Sequence, residues 1–317
     1  MYNFYMQVLR LYLLGPFQAA LSEQSQGRDE PVTGFGYDKV RALLSYLAVE
    51  HHSPHSRERL GSLLWPEASA ETARTNLRKA LSTLRKALSN TDPSPYLIIQ
   101  NDSAQFDPNG HFWLDVDQLK SRLDAALSHT QLRFETCIHD LEEATALYRG
   151  SFLQGLTVDS LEFEEWLLTI REALHTRMLS ALHELTQYYL RQGEYGLAQK
   201  HALRQVELEP YREEAHCALM ESLAHSGQRS AALAQYERCR NILASELGVE
   251  PGHDTQMLYQ RIRSAGSTRP HNLPPQPQPL VGRQAERYEI GRLLANPDCR
   301  LLTLAAIGGI GKTALAL

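Results

Sequence analysis

A short basic segment holds the side chains most able to recognise a polyanion. Between Ala70 and Ser89 there are five cations and a single acid, Glu71. The cations are Arg74, Arg78, Lys79, Arg85 and Lys86. Helical periodicity places a stripe of leucines on one side of this segment and short polar and basic residues on the other. A helix with one face in a core and one cationic, hydroxyl-bearing face fits the major groove of duplex DNA.

The outward face of this predicted helix divides into two kinds of contact. Asn76 can pair with adenine and Lys79 with guanine, and the hydroxyls of Ser82 and Thr83 can take either a donor or an acceptor role. Cations that contact phosphates add affinity but little sequence information. The candidate DNA-binding residues are Thr75, Asn76, Arg78, Lys79, Ser82, Thr83, Arg85 and Lys86.

The same pattern is also that of a solvated amphipathic helix whose charges only confer solubility. Three observations favour the DNA-reading interpretation: the helix stop at Trp65-Pro66, the strand–turn–strand pattern of Tyr96–Phe106, and the distribution of charge. Residues 1–113 carry 11 basic and 11 acidic residues, whereas residues 114–263 carry 15 basic and 23 acidic residues, a net charge of −8. The basic helix is therefore a local excess of positive charge in a chain of net charge −5.

A second segment able to do chemistry lies near the end of the sequence. The apolar strand Leu301–Ala305 leads into a glycine-rich turn, which is the context of a phosphate-binding loop, although Ala306 replaces its first glycine. Backbone N–H groups would cradle phosphates, the lysine would reach the terminal ones and the threonine would hold magnesium. The candidate nucleotide-binding residues are Gly308, Gly309, Gly311, Lys312 and Thr313.

The sequence stops at Leu317, before an acidic residue or lid that would complete a hydrolytic site. We therefore expect no catalytic residues, no ATPase activity and no required cofactor. ATP and Mg²⁺ would matter only in a longer version of the protein, of which this chain would be the front portion.

The elements that position the basic helix can be read from the pattern around it. Val8–Leu21 alternates like one or two strands, and Lys39–Glu50 has apolar residues at helical spacing. Ser56 is placed to cap a short helix and Ser69 to open the basic one. Tyr96–Phe106 then reads as a hairpin. Strands, three helices and a terminal hairpin predict an α+β winged helix over residues 1–113.

The following region has a helical repeat. Gly193 and Gly227 are 34 residues apart, as are Ala198 and Ala232. This period predicts an all-α, tetratricopeptide-like domain over residues 114–263, in a mainly α protein. After it we expect a proline-rich linker (264–279) and the truncated start of a P-loop α/β domain (280–317). A cluster of acidic and aromatic residues fits either an interaction patch or the N-terminal turn of a long helix, and consists of Glu162, Glu164, Glu165 and Trp166.

Several classes of protein are disfavoured. No apolar run is long enough for a membrane span, and the N-terminus lacks a signal-peptide pattern. The four cysteines are scattered without metal-ligand spacing, so we expect no metal site and a reducing cytoplasm. The pair His51-His52 is interpreted as a solvated helix end.

Motifs in fixed order over residues 8–263 resemble the antibiotic regulatory protein (SARP) family, which joins an OmpR-type winged helix to a bacterial transcriptional activation domain. They include Leu9–Phe17, Lys39–Ala48, Leu63–Pro66, Ala73–Leu88, Leu147–Leu153, Arg212–His216 and Leu243–Pro251. The resemblance implies binding to promoter direct repeats, contact with RNA polymerase and a possible homodimer on DNA. It makes Thr75, Asn76, Lys79 and Thr83 the base-side residues. It also makes the hairpin a wing, whose tip Asn101-Asp102-Ser103 lacks a cation, so we expect little minor-groove contact from it.

Two other functions remain open. Leu280-Val281-Gly282-Arg283 resembles the opening of NB-ARC or STAND-type ATPase modules, so the chain could be the front of an ATP-switched signalling regulator whose output is DNA binding. The chain could instead be a tetratricopeptide scaffold with a degenerate winged helix.

Overall fold

The computed structural model describes residues 7–23, 29–88, 96–128 and 134–265, with two short helical pieces at 289–290 and 292–293. Residues 1–259 form one compact unit and residues 260–317 a second. Helices predominate in the described residues, as expected. The glycine-rich turn of Gly308–Thr313 and the segment from Leu280 to Arg283 lie outside the described residues, so the phosphate-binding loop stays a prediction.

The N-terminal part combines two small sheets with three helices. Its strands are β1 Gln7–Tyr12, β2 Gln18–Glu23, β3 Asp29–Pro31, β4 His55–Ser56, β5 Leu97–Ile99, β6 Ser103–Phe106 and β7 Phe112–Leu114, and its helices are α1 Asp38–Val49, α2 Arg57–Leu64 and α3 Ala70–Leu88. The first sheet has the order β3-β2-β1-β7, with β7 parallel to β1, and the second has the order β4-β6-β5. The expected hairpin is confirmed by the antiparallel pairing of β5 with β6, in which Ile99 faces Ala104.

Local sequence explains why the helices begin where they do. The Ser56 hydroxyl accepts a hydrogen bond from the Arg59 backbone N–H at the start of α2, as predicted. The Ser69 hydroxyl accepts one from Thr72 N–H at the start of α3. Helix α1 is central to the core, because Leu43, Leu44 and Leu47 are fully buried.

The remaining helices stack in sequence. They are α4 Asp115–Ser128, α5 Phe134–Leu147, α6 Leu161–Gln192, α7 Tyr195–Leu208, α8 Glu213–His225, α9 Arg229–Ile242 and α10 His253–Ala265, with a π-helical turn at Leu243–Leu247. The predicted period is visible as two helical hairpins, α6–α7 and α8–α9. Gly193 and Gly227 follow the first helix of each with φ of 76° and 79°, a left-handed conformation that favours glycine. Ala198 and Ala232 are fully buried on the second helices.

In each hairpin, a glutamine on the second helix donates a hydrogen bond to a buried polar group on the first. In the first, Gln205 Nε2 donates to Thr186 Oγ1 across 2.8 Å. In the second, Gln235 Nε2 donates to His216 Nδ1 across 2.8 Å, while His216 Nε2 bonds the Pro210 carbonyl. Burial lowers the pKa of His216, so this ring is neutral at pH 7. Such buried pairs fix how one helix sits against the next.

The two parts within residues 1–259 are joined by direct bonds. The Asp115 carboxylate accepts hydrogen bonds from the backbone N–H groups of Leu13 and Leu14 at 2.8–2.9 Å. The Ser160 hydroxyl donates to the Leu63 carbonyl, which ties the start of α6 to the end of α2. The helices of the second part are therefore anchored to the elements that carry α3.

The cluster at Glu162–Trp166 is the N-terminal turn of the long helix α6, which is one of its two predicted interpretations. The interpretations of Trp166 as part of a surface patch and of His51 as a solvated residue are wrong. Trp166 is no exposed patch residue: its indole Nε1 donates to Glu50 Oε1 at 3.0 Å and its ring contacts Tyr46. His51 is no solvated helix end, because it is 8% exposed and its Nδ1 bonds the Ala48 carbonyl at 2.8 Å. The partner of Trp166 is one that only the tertiary fold brings near, whereas that of His51 is local.

The described residues contain neither a membrane-spanning helix nor a metal-binding cluster. No helix in that part of the chain is long and apolar enough to cross a membrane. Likewise, no three histidine, cysteine, aspartate or glutamate side chains of those ranges form a metal-binding group.

Candidate nucleic-acid interface

The basic helix α3 has the two faces that its sequence predicts. Its leucine stripe is buried against the N-terminal core, with Leu84 fully inaccessible and Leu77, Leu81 and Leu88 at most 3% exposed. Burial of one such side chain stabilises the fold by about 1.5–3 kcal/mol. The apolar face therefore fixes the rotation of the helix about its axis and determines which residues point outward.

The eight candidate DNA-binding residues lie together on α3, and none of them is buried. Exposed are Thr75, Arg78, Lys79, Ser82 and Lys86; half-buried are Asn76, Thr83 and Arg85. No other element covers this face in the described chain to the extent of burying any of the eight. The side chains are thus presented on one open helical surface.

The two threonines on this face have less freedom than the sequence suggests. Thr75 Oγ1 donates to the Glu71 carbonyl and Thr83 Oγ1 donates to the Lys79 carbonyl, each across 3.0 Å. A hydroxyl has one hydrogen to donate and two lone pairs to accept with. Because the hydrogen is used inside the helix, both hydroxyls can only accept hydrogen bonds from outside. Thr83 was expected to act as a donor or an acceptor, and in this structure it is an acceptor.

The positive charge of the face is not neutralised locally. Within the described ranges, no acid forms an ion pair with Arg74, Arg78, Lys79 or Lys86. Arg85 differs, because it is half-buried and has an interaction partner in the chain. The four other cations keep their full charge available for an external anion.

A cleft of about 460 Å³ adjoins the N-terminal half of α3. It is lined by Ser56, Arg57, Glu58, Arg74, Leu77, Arg78, Asn101 and Asp102. Pairing of β4 with β6 brings the turn between β5 and β6 to this place, where the Asp102 carbonyl accepts a hydrogen bond from Arg57 N–H at 2.8 Å. The cleft gathers three arginines and two acids at one edge of the candidate interface.

Sequence reasoning missed Arg57 as part of this surface. Its Nε is inaccessible and has no hydrogen-bond partner among the described residues. This guanidinium N–H is a hydrogen-bond donor without an acceptor. The sequence signal for Arg57 was its position directly after the Ser56 cap. The N-terminal turn of a helix attracts anions, so a cation there can contribute to an anion-binding surface.

Comparison with known proteins identifies the second part of the chain. Residues 114–263 match the family described as Bacterial transcriptional activator domain. The chain is 28% identical over 341 aligned residues to Regulatory protein AfsR of Streptomyces coelicolor, covering 98% of this chain and 32% of AfsR. It is 28% identical to Transcriptional regulatory protein MoaR1 of Mycobacterium tuberculosis, covering 79% of this chain and 78% of MoaR1.

A solved structure shares the fold. Mycobacterium tuberculosis EmbR, crystallised in complex with a low-affinity phosphopeptide, superposes with a TM-score of 0.59 at 24% identity, over 91% of this chain and 70% of EmbR. This chain spans about a third of the length of the AfsR relatives. These relatives are named as regulatory or transcriptional regulatory proteins. Residues 114–263 therefore match the bacterial transcriptional activator domain family, within a chain similar to regulatory proteins of transcription.

Proposed function

We propose that this protein is a sequence-specific DNA-binding transcriptional activator whose N-terminal part is a winged helix. The observation that carries the proposal is the outward face of α3, where Arg78, Lys79 and Lys86 are exposed and have no acidic partner in the described chain. In this arrangement α3 enters the major groove while α1 and α2 support it. The β5–β6 hairpin is the wing.

Base reading and phosphate binding are divided along α3. Asn76 and Lys79 reach base edges, and the acceptor hydroxyls of Thr75 and Thr83 favour the amino groups of adenine or cytosine. Ser82 is exposed between them. The phosphate contacts come from Arg78 and Lys86, together with Arg85 where its partner in the chain releases it.

The cleft beside α2 extends the phosphate-binding edge. Arg57, Arg74 and Arg78 line it, so a backbone phosphate that entered would meet guanidinium donors from two helices. Glu58 and Asp102 oppose this charge and limit the gain. The acidic Asn101–Ser103 turn is expected to add little in the minor groove.

The activator domain handles protein contacts in this proposal. Its region has a net charge of −8, which disfavours a second nucleic-acid surface. We infer that it contacts RNA polymerase, a second copy of the chain, or both, on promoter direct repeats in the cytoplasm. Two copies on tandem sites would place each α3 one or more helical turns from the next.

Selection from a random duplex library tests the proposal directly. The full chain should enrich one short motif, present as a direct repeat. The matched variant Lys79→Ala, which removes a base-side cation and leaves the fold intact, should enrich a more degenerate motif. Recovery of unenriched sequences by the parent protein would overturn the proposal, because a sequence-independent binder selects nothing.

An ATP-switched regulator is the second candidate. The alignment with AfsR covers 98% of this chain, so it is not confined to the DNA-binding and activator parts. The candidate residues Gly308, Gly309, Gly311, Lys312 and Thr313 would then hold the phosphates of ATP with Mg²⁺. A longer version of the protein should bind ATP, and the substitution Lys312→Ala should abolish that binding. Equal ATP binding by both would refute this role for the loop.

A further inference from the structure

The activator domain contains a cavity of about 670 Å³ between α5, α6 and α7. Its apolar wall is formed by Ala146, Met178, Leu182 and Leu203. Its polar lining includes Glu142 of α5, Tyr148 directly after α5, and Lys200 and His201 of α7. A cavity of this volume, with an apolar wall and few polar groups, has the character of a small-molecule site.

His201 is the unusual group in this cavity. Its side chain is 4% exposed, and its buried Nε2 has no hydrogen-bond partner in the described chain. The ring is held in place by stacking on Tyr189, with 5.6 Å between centroids and 7° between planes. An unpaired nitrogen on a buried imidazole costs about 1–3 kcal/mol, so a ligand that bonds it would recover that energy.

Two of the three acids that line the cavity are paired with arginines. Glu142 accepts a hydrogen bond from the Tyr189 hydroxyl, Glu143 is paired with Arg122, and Arg204 is paired with Glu207. The charges of Glu143, Glu207 and Arg204 are thus compensated within the protein, whereas Glu142 is hydrogen-bonded but keeps its negative charge. The Lys200 ammonium has no acidic partner among the described residues, and it lies close enough to His201 to lower the pKa of that imidazole.

We propose that this cavity is a binding site for a small amphipathic carboxylic acid. The carboxylate would form an ion pair with Lys200 and accept a hydrogen bond from His201. The apolar body would lie against Met178, Leu182 and Leu203. Glu143 and Glu207 are already paired with arginines, so they oppose an anion less than free carboxylates would, while the charge of Glu142 limits the affinity.

The state of His201 supplies an independent readout. Burial, assisted by the charge of Lys200 and opposed by that of Glu142, lowers the pKa of His201 to about 4, so the imidazole is neutral at pH 7. A carboxylate beside it would neutralise Lys200 and favour the imidazolium. Ligand binding should therefore raise the pKa of His201, whereas an uncharged occupant should not.

Methyl NMR of the full chain tests the site, with octanoate as the probe. Of the five methionines, Met178 lines the cavity and is 1% exposed, whereas Met220 is buried elsewhere and Met257 is 55% exposed on the surface. Octanoate should shift the Met178 methyl signal saturably and leave the Met220 and Met257 signals in place. Octan-1-ol has the same apolar body without the charge. Its affinity should be lower than that of octanoate by about tenfold or more.

Two variants isolate the anchor. Lys200 is exposed, so Lys200→Gln should fold normally and lose about tenfold in octanoate affinity, whereas Lys86→Gln on α3 should bind as the parent does. No saturable shift at Met178, equal shifts at all three methionines, or equal affinity for octanoate and octan-1-ol would each overturn the proposal. An unchanged octanoate affinity in Lys200→Gln would do so as well. None of these results depends on whether α3 binds DNA.

Discussion

Asp115 Oδ2 accepts a hydrogen bond from the backbone N–H of Leu13 across 2.8 Å, which fastens the start of α4 to the residue directly after β1. The carboxylate is 1% exposed and Arg149 Nη2 lies 3.8 Å from it. A buried acid with several donors fixes the relative position of the elements it joins. Because β1 belongs to the N-terminal part that carries α3 and α4 begins the region matched by the activator-domain family, this group holds the two parts together.

Asp115 should make stability depend on pH. Burial raises the pKa of Asp115 from 3.8 to about 6, against the opposing effects of Leu13, Leu14 and Arg149. The native state thus holds this proton more tightly than the unfolded state, so the contribution is fully present below pH 4 and is lost as the pH rises through about 6. From pH 4 to 7, the free energy of unfolding of the parent should fall relative to that of Asp115→Asn, measured by urea denaturation.

The control for this measurement is Asp124→Asn, which removes a surface acid paired with Arg177. Its difference from the parent should stay nearly flat from pH 4 to 7, because exposed ion pairs contribute little. If the Asp115→Asn curve were equally flat, burial would not control the titration of Asp115.

The hydrogen bond from Trp166 to Glu50 should stabilise the packing of α6 against the end of α1. Trp166→Phe keeps most of the ring packing on Tyr46 but removes the N–H that bonds Glu50 Oε1, leaving a half-buried carboxylate unpaired. Removal of such a partner costs about 1–3 kcal/mol. Urea denaturation should report this loss, and Leu168→Ala at an exposed site should change stability by about 0.5 kcal/mol or less. Equal stability of parent and Trp166→Phe would show that the bond contributes nothing.

Substitutions on the buried and the exposed faces of α3 should affect stability and DNA affinity separately. Leu84→Ala opens a cavity in the core, since Leu84 is fully buried, and should cost about 2–5 kcal/mol of unfolding free energy. The side chain of Lys86 is exposed, so Lys86→Ala should alter the free energy of unfolding by about 0.5 kcal/mol or less. The same substitution should weaken DNA binding. A large loss of stability in Lys86→Ala would mean that this side chain serves the fold instead of a ligand.

The two kinds of DNA contact should also be distinguishable. Lys79→Ala should relax sequence preference at one base position by about 1–3 kcal/mol, whereas Arg78→Ala should weaken all sequences about equally. Binding to a panel of single-base variants of the selected site measures both. Identical specificity profiles for the two variants would contradict the assignment of base and phosphate roles.

Local signals made much of this structure predictable. The leucine stripe of α3, the caps at Ser56 and Ser69, and the glycines at 193 and 227 depend on residues close in sequence, so their spacing predicts their structure. The partners of Trp166 and Asp115 lie 116 and 102 residues away, and periodicity does not encode such pairs. The Arg57 cleft was missed for the same reason, because it forms only when the β5–β6 turn pairs with β4.

The most direct test of the central claim is the salt dependence of DNA binding by the full chain. If the outward cations of α3 contact phosphates, the logarithm of the association constant should fall linearly with the logarithm of salt concentration, with a slope of about −0.9 for each phosphate contact. Arg78→Ala should make that slope shallower by about one unit. A slope near zero, or one unchanged by Arg78→Ala, would contradict the account.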